Sequence, residues 1–264
     1  MPILNNLTVN EINTGSVLRR EYEIGAGGLL GPSTTATQIM DFTGVKALSD
    51  FSIMRGAYFH NTAISGPVDM SDLESVTPDY ALAGMFDGCT GITSLDLSSL
   101  TTTTKYCCNA MCRNCTSLTS ANLASLTSVT NSSCYDMFNG CTSLANVDVS
   151  SLDSISGAYG CAYMFARTAL TSITFTALSS INNNYACIGM FSGCPYLTSI
   201  SFPALTNLGT RKTQFTSMCM DIPNITLHFP SNMQSAVEAL DDYSTTAPFG
   251  ATSGSVLFDL PATA

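Results

Sequence analysis

Apolar positions between residues 85 and 217 recur on a nearly fixed step. Methionines at 85, 111, 137, 164, 190 and 218 are separated by 26, 26, 27, 26 and 28 residues, the mark of one structural unit stacked on copies of itself. Four further apolar rows line up across the units. Ile92, Leu118, Leu144, Leu170 and Leu197 form the first, and Leu95, Ala121, Val147, Ile173 and Ile200 the second. Leu97, Leu123, Val149, Phe175 and Phe202 form the third, and Leu100, Leu126, Leu152, Leu178 and Leu205 the fourth. Within a unit the spacing is L-x-x-L-x-L-x-x-L. Its central L-x-L alternates with period two, so it predicts a short strand with apolar side chains turned into the stack and the intervening residues turned out.

Each strand is followed by one more apolar turn position (Val129, Ile155, Ile181, Leu208). Cys108, Met111 and Cys115 then stand at i, i+3 and i+7, and Cys134, Met137, Cys141 and Cys187, Met190, Cys194 repeat the pattern. That spacing puts them on one helical face and predicts a short helix on the side opposite the strands. The fourth unit departs from the rule: it keeps Cys161 and Met164, loses one residue before Leu170 and lacks a second cysteine. Phe86, Phe138, Phe165 and Phe191 follow the Met and fill the space between the two layers, with Cys112 replacing Phe in one unit.

The chain divides into three parts. Residues 1–37 alternate loosely and end in the linker-like stretch 25–37, which predicts an N-terminal arm or cap. Residues 38–229 form the repeat body of about seven units. Its first unit (Met40, Phe42, Val45, Leu48, with Tyr58-Phe59 in place of Met-Phe) and its second (Val68, Met70, Leu73, Val76, Tyr80, Leu82) are degenerate, as end units are. After a last strand at Leu227-His228-Phe229, residues 230–264 predict a C-terminal cap. Its helix carries Met233, Val237 and Leu240, and its strand Val256–Leu260 covers the end of the stack.

The text Met-Phe-x-Gly-Cys-Thr-x-Leu-Thr-Ser, followed by Leu-Asp-Leu-Ser-Ser-Leu, on a step of about 26 residues, resembles the BspA-like leucine-rich repeat proteins. The resemblance spans residues 38–229, with its most specific motif in 85–205. It implies an α/β repeat solenoid with a parallel β-sheet on one face and short helices on the other. It also implies adhesion or protein binding at a bacterial surface, and it brings no catalytic residues.

Composition narrows the function. Charged residues make up 11% of the chain, against roughly 25% in an average protein, and Ser and Thr supply the polarity instead. Net charge is −10, yet residues 85–217 balance five acids against five bases, so the excess lies in the flanks. A neutral body with acidic ends lacks the basic stripe that nucleic-acid binding requires. No run approaches the length of a membrane span, and Met1–Asn6 lacks the basic and apolar regions of an export signal. These features predict a phage virion subunit (fibre, decoration or receptor-binding) attached to other virion proteins through residues 1–37. The alternative is a bacterial cell-surface or secreted adhesin that binds host protein or glycan.

Three sets of residues could carry chemistry. The eleven cysteines include a C-x-x-C at Cys112 and Cys115, the spacing of zinc and redox sites. Cys108 and Cys115, however, belong to repeat rows and read as small buried hydrophobes, with an occasional disulfide between neighbours as the other possibility. The outward strand positions form two polar rows. One is Asp69, Asp96, Asn122, Asp148, Thr174 and Ser201; the other is Ser94, Ser120, Asn146, Ser172 and Ser199. They offer a flat hydrogen-bonding face for a protein or glycan, or weak calcium sites at Asp69 and Asp96. The plainer reading is solvent-facing polarity, since no aromatic platform lies in either row. His60 and His228 have no serine or cysteine motif near them in sequence. Tyr80, Tyr106, Tyr159 and Tyr185 recur at 26, 53 and 26 residues and read as structural, whereas Tyr135 and Tyr196 stand off the rows as candidates for surface contacts. No phosphate loop, nucleophile elbow or paired catalytic carboxylates appear. The sequence thus predicts a non-enzymatic binding or structural module without metal or cofactor.

Overall fold

A computed structural model describes residues 47–48, 65–77 and 79–263. The predicted arm over 1–37 lies outside the described residues, as do Met40, Phe42, Val45, Tyr58, Phe59 and His60.

The strand signal in the L-x-L motif is realised in each coil. The described strands are β1 (Ala47–Leu48), β2 (Ser65–Asp69), β3 (Ser75–Val76), β4 (Gly91–Asp96), β5 (Ser120–Asn122), β6 (Ser128–Val129), β7 (Asn146–Asp148), β8 (Ser154–Ile155), β9 (Ser172–Thr174), β10 (Ser180–Ile181), β11 (Ser199–Ser201), β12 (Ile225–Pro230) and β13 (Gly254–Leu260). All pairings are parallel and step from one coil to the next. The result is a parallel-sheet solenoid of leucine-rich-repeat type, each coil stacked on its neighbours at the strand spacing of about 4.8 Å. A second, narrower sheet, β6-β8-β10, follows the turn after each strand and aligns Val129, Ile155 and Ile181 in one buried row.

The apolar rows form one continuous core. Every member of the first, third and fourth rows is buried, as are Phe86, Phe138, Phe165 and Phe191. Phe138, Phe165 and Phe191 stack along the solenoid axis at 5.9 and 5.8 Å, and Phe175, Phe202 and Phe229 do so at 5.4 and 5.1 Å. Each such pair contributes about 0.5–1.5 kcal/mol beyond its area burial.

Opposite the strands, the expected short helices are a run of consecutive tight turns. The N–H groups of Leu82, Gly84, Phe86 and Gly88 donate to Cys107, Asn109, Met111 and Arg113 carbonyls in the next coil, at 2.7–2.9 Å. The alternating N–H groups of Ala83, Met85, Asp87 and Cys89 donate back three residues within the coil. An α-helix would keep all these donors to itself, whereas this ribbon uses every second one to bond coil to coil. Every fourth residue takes positive φ: Tyr80, Gly84 and Gly88, then Tyr106, Ala110 and Asn114, then Ser132, Asp136 and Gly140. Gly189 illustrates the requirement, with φ +58 and a backbone on which an added Cβ would strike the Tyr163 ring.

At the C-terminal end, a 3₁₀ turn (Ser231–Met233) that buries Met233 leads into the single described α-helix, α1 (Gln234–Glu238), which buries Val237, and Leu240 is buried just beyond it. The chain then returns as β13, parallel to β12.

Candidate functional site

The polar strand rows lie in register on one face. Ser94, Ser120 and Asn146 are cross-strand neighbours, as are Asp96, Asn122 and Asp148. Beyond them Ser172 pairs with Ser199, and Thr174 with Ser201. Between these two groups the sheet is interrupted. Strands β2-β4-β5-β7 form one sheet and β9-β11-β12-β13 another, and no ladder joins β7 to β9. The equivalent bonds are intact on either side: Leu123 N–H donates to Asp148 O at 2.9 Å and Phe175 N–H to Ser201 O at 2.9 Å.

The irregular fourth unit accounts for the break. Thr168 takes the row of Cys89, Cys115, Cys141 and Cys194, but only Ala169 separates it from Leu170, where Cys141 has two residues before Leu144. The shortened link shifts the entry bond. Ala169 N–H donates to Leu144 O at 3.0 Å, whereas Thr119, Ala145 and Thr198 make the bond at the strand entrances of the other coils. The coils remain tied farther along, by Thr176 Oγ1 to Ser150 O at 2.8 Å and Ser179 N–H to Asp153 O at 2.8 Å. The opening is thus local to the strand face.

A groove of about 650 Å³ lies over the break, and eight of the ten predicted binding residues line it: Ser94, Asp96, Ser120, Asn122, Asn146, Asp148, Ser172 and Thr174. Ser199 and Ser201 stand outside it, on the far side of β9. Asn146, Asp148, Ser172 and Thr174 are exposed, and Val147 is half-exposed where the other members of its row are buried. Asp96 and Asp148 are the only charged residues in the lining.

Part of this polarity has a structural task. Asp69, Asp96 and Asp148 each accept the backbone N–H two residues on, from Ser71, Ser98 and Ser150, at 2.8–2.9 Å, and Asn122 accepts that of Ala124 at 3.1 Å. These side chains close the turn that ends each strand, as Asp and Asn do in Asx-turns. The weak calcium sites considered at Asp69 and Asp96 gain no support, since among the described residues no group of three His, Cys, Asp or Glu is arranged to hold a metal.

The cysteines are core. All eleven are free and buried. Cys115, Cys141 and Cys194 turn their thiols to backbone carbonyls of the preceding coil, at 3.1, 2.9 and 3.0 Å. Thr168 places its hydroxyl 2.9 Å from Phe165 O and 3.3 Å from Cys194 Sγ. Burial pushes the Cys134 thiol up to about 12 and raises Cys161, Cys187 and Cys219 as well. Cys115 moves the other way, because hydrogen bonds from Cys112 and then Cys141 favour its thiolate.

His228, which sequence reasoning set aside, extends the polar row past Ser201. Its Nδ1 lies 3.0 Å from both carboxylate oxygens of Asp259. The row thus brings Ser201, His228 and Asp259 side by side, but no hydrogen bond joins Ser201 to the imidazole, so the nucleophile-to-base link of a triad is missing. On the opposite side of the solenoid, Arg113 holds Asp87 through Nε at 3.1 Å and Nη2 at 2.6 Å. Tyr135 meets Tyr163 edge to face, and Tyr196 is 63% exposed.

No protein-family model matches the chain, and no curated protein matches it. Among solved structures it is similar to a leucine-rich repeat protein from Bacteroides ovatus, at 13% identity over 81% of this chain and 84% of that one, with a TM-score of 0.25. It is also similar to a leucine-rich cell surface protein from Faecalibacterium prausnitzii, at 13% identity over 84% and 86% of the two chains, with a TM-score of 0.27. No described helix is long and apolar enough to cross a membrane.

Proposed function

We propose that the chain is a non-enzymatic binding protein whose partner docks on the strand face, centred on the groove between β7 and β9. The observation that carries this reading is the break itself. It opens a recess in an otherwise closed sheet, rimmed by the exposed polar side chains of Asn146, Asp148, Ser172 and Thr174. Its lining has hydroxyls, amides and two carboxylates but no aromatic ring on which a sugar could stack. It therefore suits a protein partner that presents Lys or Arg donors.

A cell-surface setting fits the chain better than a virion. The virion reading rests on the composition, the missing export signal in Met1–Asn6 and the arm at 1–37, and the arm lies outside the described residues. The thiol-rich body is compatible with a cell surface, because thiols this inaccessible are protected from oxidants outside a cell.

The test is a double substitution, Asn146→Arg with Ser172→Arg, at two exposed positions on the lip of the groove. The chain is screened against immobilised host matrix proteins. A protein retained by the wild type should be lost by the double variant at unchanged melting temperature. Equal retention by both would place the binding surface elsewhere.

A further inference from the structure

Strand β13 ends the sheet β9-β11-β12-β13, and among the described residues no strand lies beyond it. Its described neighbours on that edge stand at the two ends. Thr246 O takes the Gly254 N–H at 2.8 Å and covers the start of the strand. Past Leu260 the chain turns back, with Thr263 Oγ1 donating to Leu205 O at 3.4 Å and Asn232 Nδ2 to Thr263 O at 3.1 Å. Between these ends the strand is open. Val256 and Phe258 are half-buried, whereas Leu227 and Phe229, which precede them in the apolar rows, are fully buried, and Leu257 is 40% exposed.

The backbone of this edge is turned outward. In earlier coils the inward residues Leu97, Leu123, Phe175 and Phe202 donate their N–H groups to the next coil, and alternate residues of a strand point the same way. Val256 pairs in register with Leu227, and the Phe258 ring follows that of Phe229 at 6.1 Å. Their N–H and C=O groups therefore point away from β12, to the side where no described coil follows. Natural edges of this kind are guarded by lysines, prolines, bulges or very short strands. β13 runs for seven residues, Gly254–Leu260. Its one charge, Asp259, is held by His228, and its slip in register against β12 comes only past Leu257.

We propose that β13 pairs antiparallel with β13 of a second copy of the chain, about a two-fold axis at Leu257. A two-fold contact sets one patch against itself, and Gly-Ser-Val-Leu-Phe-Asp-Leu is complementary to itself in that register. Leu257 faces Leu257 of the second copy, which hides the exposed leucine. Val256 faces Phe258, which covers the half-buried inward pair, and Ser255 faces Asp259. The outward N–H and C=O groups of Val256 and Phe258 fall opposite one another, as a hydrogen-bonded antiparallel pair requires, and Leu257 takes the non-bonded pair between them. Moving the axis to Phe258 would set Leu257 against Asp259. Moving it to Val256 would set Leu257 against Ser255 and leave Phe258 opposite Gly254. The pairing does not depend on the groove between β7 and β9. It keeps the strand faces of both copies on one side, so two such grooves would open in the same direction.

Sedimentation velocity of the full chain from about 1 to 100 µM tests the pairing, the range over which a contact of a few strand bonds and apolar pairs dissociates. A dimer should form within it. Leu257→Lys, at an exposed position, sets two ammonium groups face to face and should leave a monomer at every concentration with the melting temperature unchanged. Leu257→Cys reads the register. Facing residues of a non-bonded antiparallel pair have Cα atoms about 4.5 Å apart, within reach of a disulfide, and the eleven native thiols are buried. Mild oxidation should therefore cross-link Leu257→Cys into a covalent dimer. Ser255→Cys should stay uncross-linked, because it faces Asp259 and not its own counterpart. Asn146→Arg with Ser172→Arg should leave the dimer intact, so this proposal and the groove proposal can fail separately. Three results would overturn the pairing: a monomer throughout the range, a dimer that Leu257→Lys leaves whole, or cross-linking at Ser255→Cys as fast as at Leu257→Cys.

Discussion

Val147 and Ile173 occupy the same apolar row on neighbouring coils, yet no strand ladder runs between them. Ile173 is buried and pairs through β9 with Ile200, while Val147 is half-exposed at the lip of the groove. Everywhere else the described row is closed, from Val68 through Leu95 to Ala121 and from Ile173 through Ile200 to Leu227. The opening follows from one residue fewer between Thr168 and Leu170, which brings the chain into β9 one step early.

Restoring that residue should close the sheet. Inserting Ser between Thr168 and Ala169 gives the spacing of Cys141 to Leu144. It should pair β7 with β9, bury Val147 and raise stability by about 1–2 kcal/mol, the worth of a recovered apolar contact and a few ladder bonds. Chemical denaturation measures the gain. The insertion should also remove partner binding at the strand face, since the groove disappears.

Phe165 lies in the middle of the stacked Phe138–Phe165–Phe191 row and is fully buried. Phe165→Ala should cost about 3–5 kcal/mol, as truncation of a packed aromatic does, and the denaturation midpoint will show it.

Thiol chemistry should follow burial. A water-soluble thiol reagent at pH 8 should label the folded chain slowly, and denaturant should release all eleven cysteines. Fast labelling of several thiols without denaturant would contradict the buried rows.

Asp136 gives a pH signature. Burial raises its carboxyl above the usual range, only partly offset by the Asn139 amide at 2.6 Å and then by Arg113. A folded pKa above the unfolded one means that the folded state holds the proton more tightly. The penalty is therefore absent below the unfolded pKa and full once pH has risen through the folded one. Asp136→Asn keeps a residue that tolerates positive φ. It should raise the melting temperature at pH 7 by on the order of 1 °C, and the gain should fade as pH falls through the raised folded pKa and be gone below about 4.

Much of this fold is legible in the sequence, because a solenoid repeats its constraints. Rows such as Leu97–Leu123–Val149–Phe175–Phe202 report the inward positions directly, and the cysteine rows identify themselves as core by recurring. The turn ribbon was misread for a physical reason. Cys108, Met111 and Cys115 share an i, i+3, i+7 face in a helix, and a ribbon of four-residue turns buries the same positions. Only the glycines, Asn114 and Asp136 on a four-residue step hinted at positive φ. The Asx-turn role of Asp96, Asn122 and Asp148 was readable in the small residues that follow them. The pairing of His228 with Asp259 was not, since the irregular C-terminal coil hides which residue of β13 faces β12. The break between β7 and β9 left one trace, the residue missing before Leu170, and its effect on hydrogen bonding emerges only when coils are stacked.

Backbone amide hydrogen exchange at Val149 tests the break most directly. Leu123 and Phe175 hold the equivalent position in flanking coils and donate to Asp148 and Ser201 carbonyls. With no such bond between β7 and β9, the Val149 amide should exchange at least about a hundredfold faster than those two, as loss of a protected ladder bond implies. Equal protection at Val149, Leu123 and Phe175 would mean a continuous sheet, with no groove for a partner to enter.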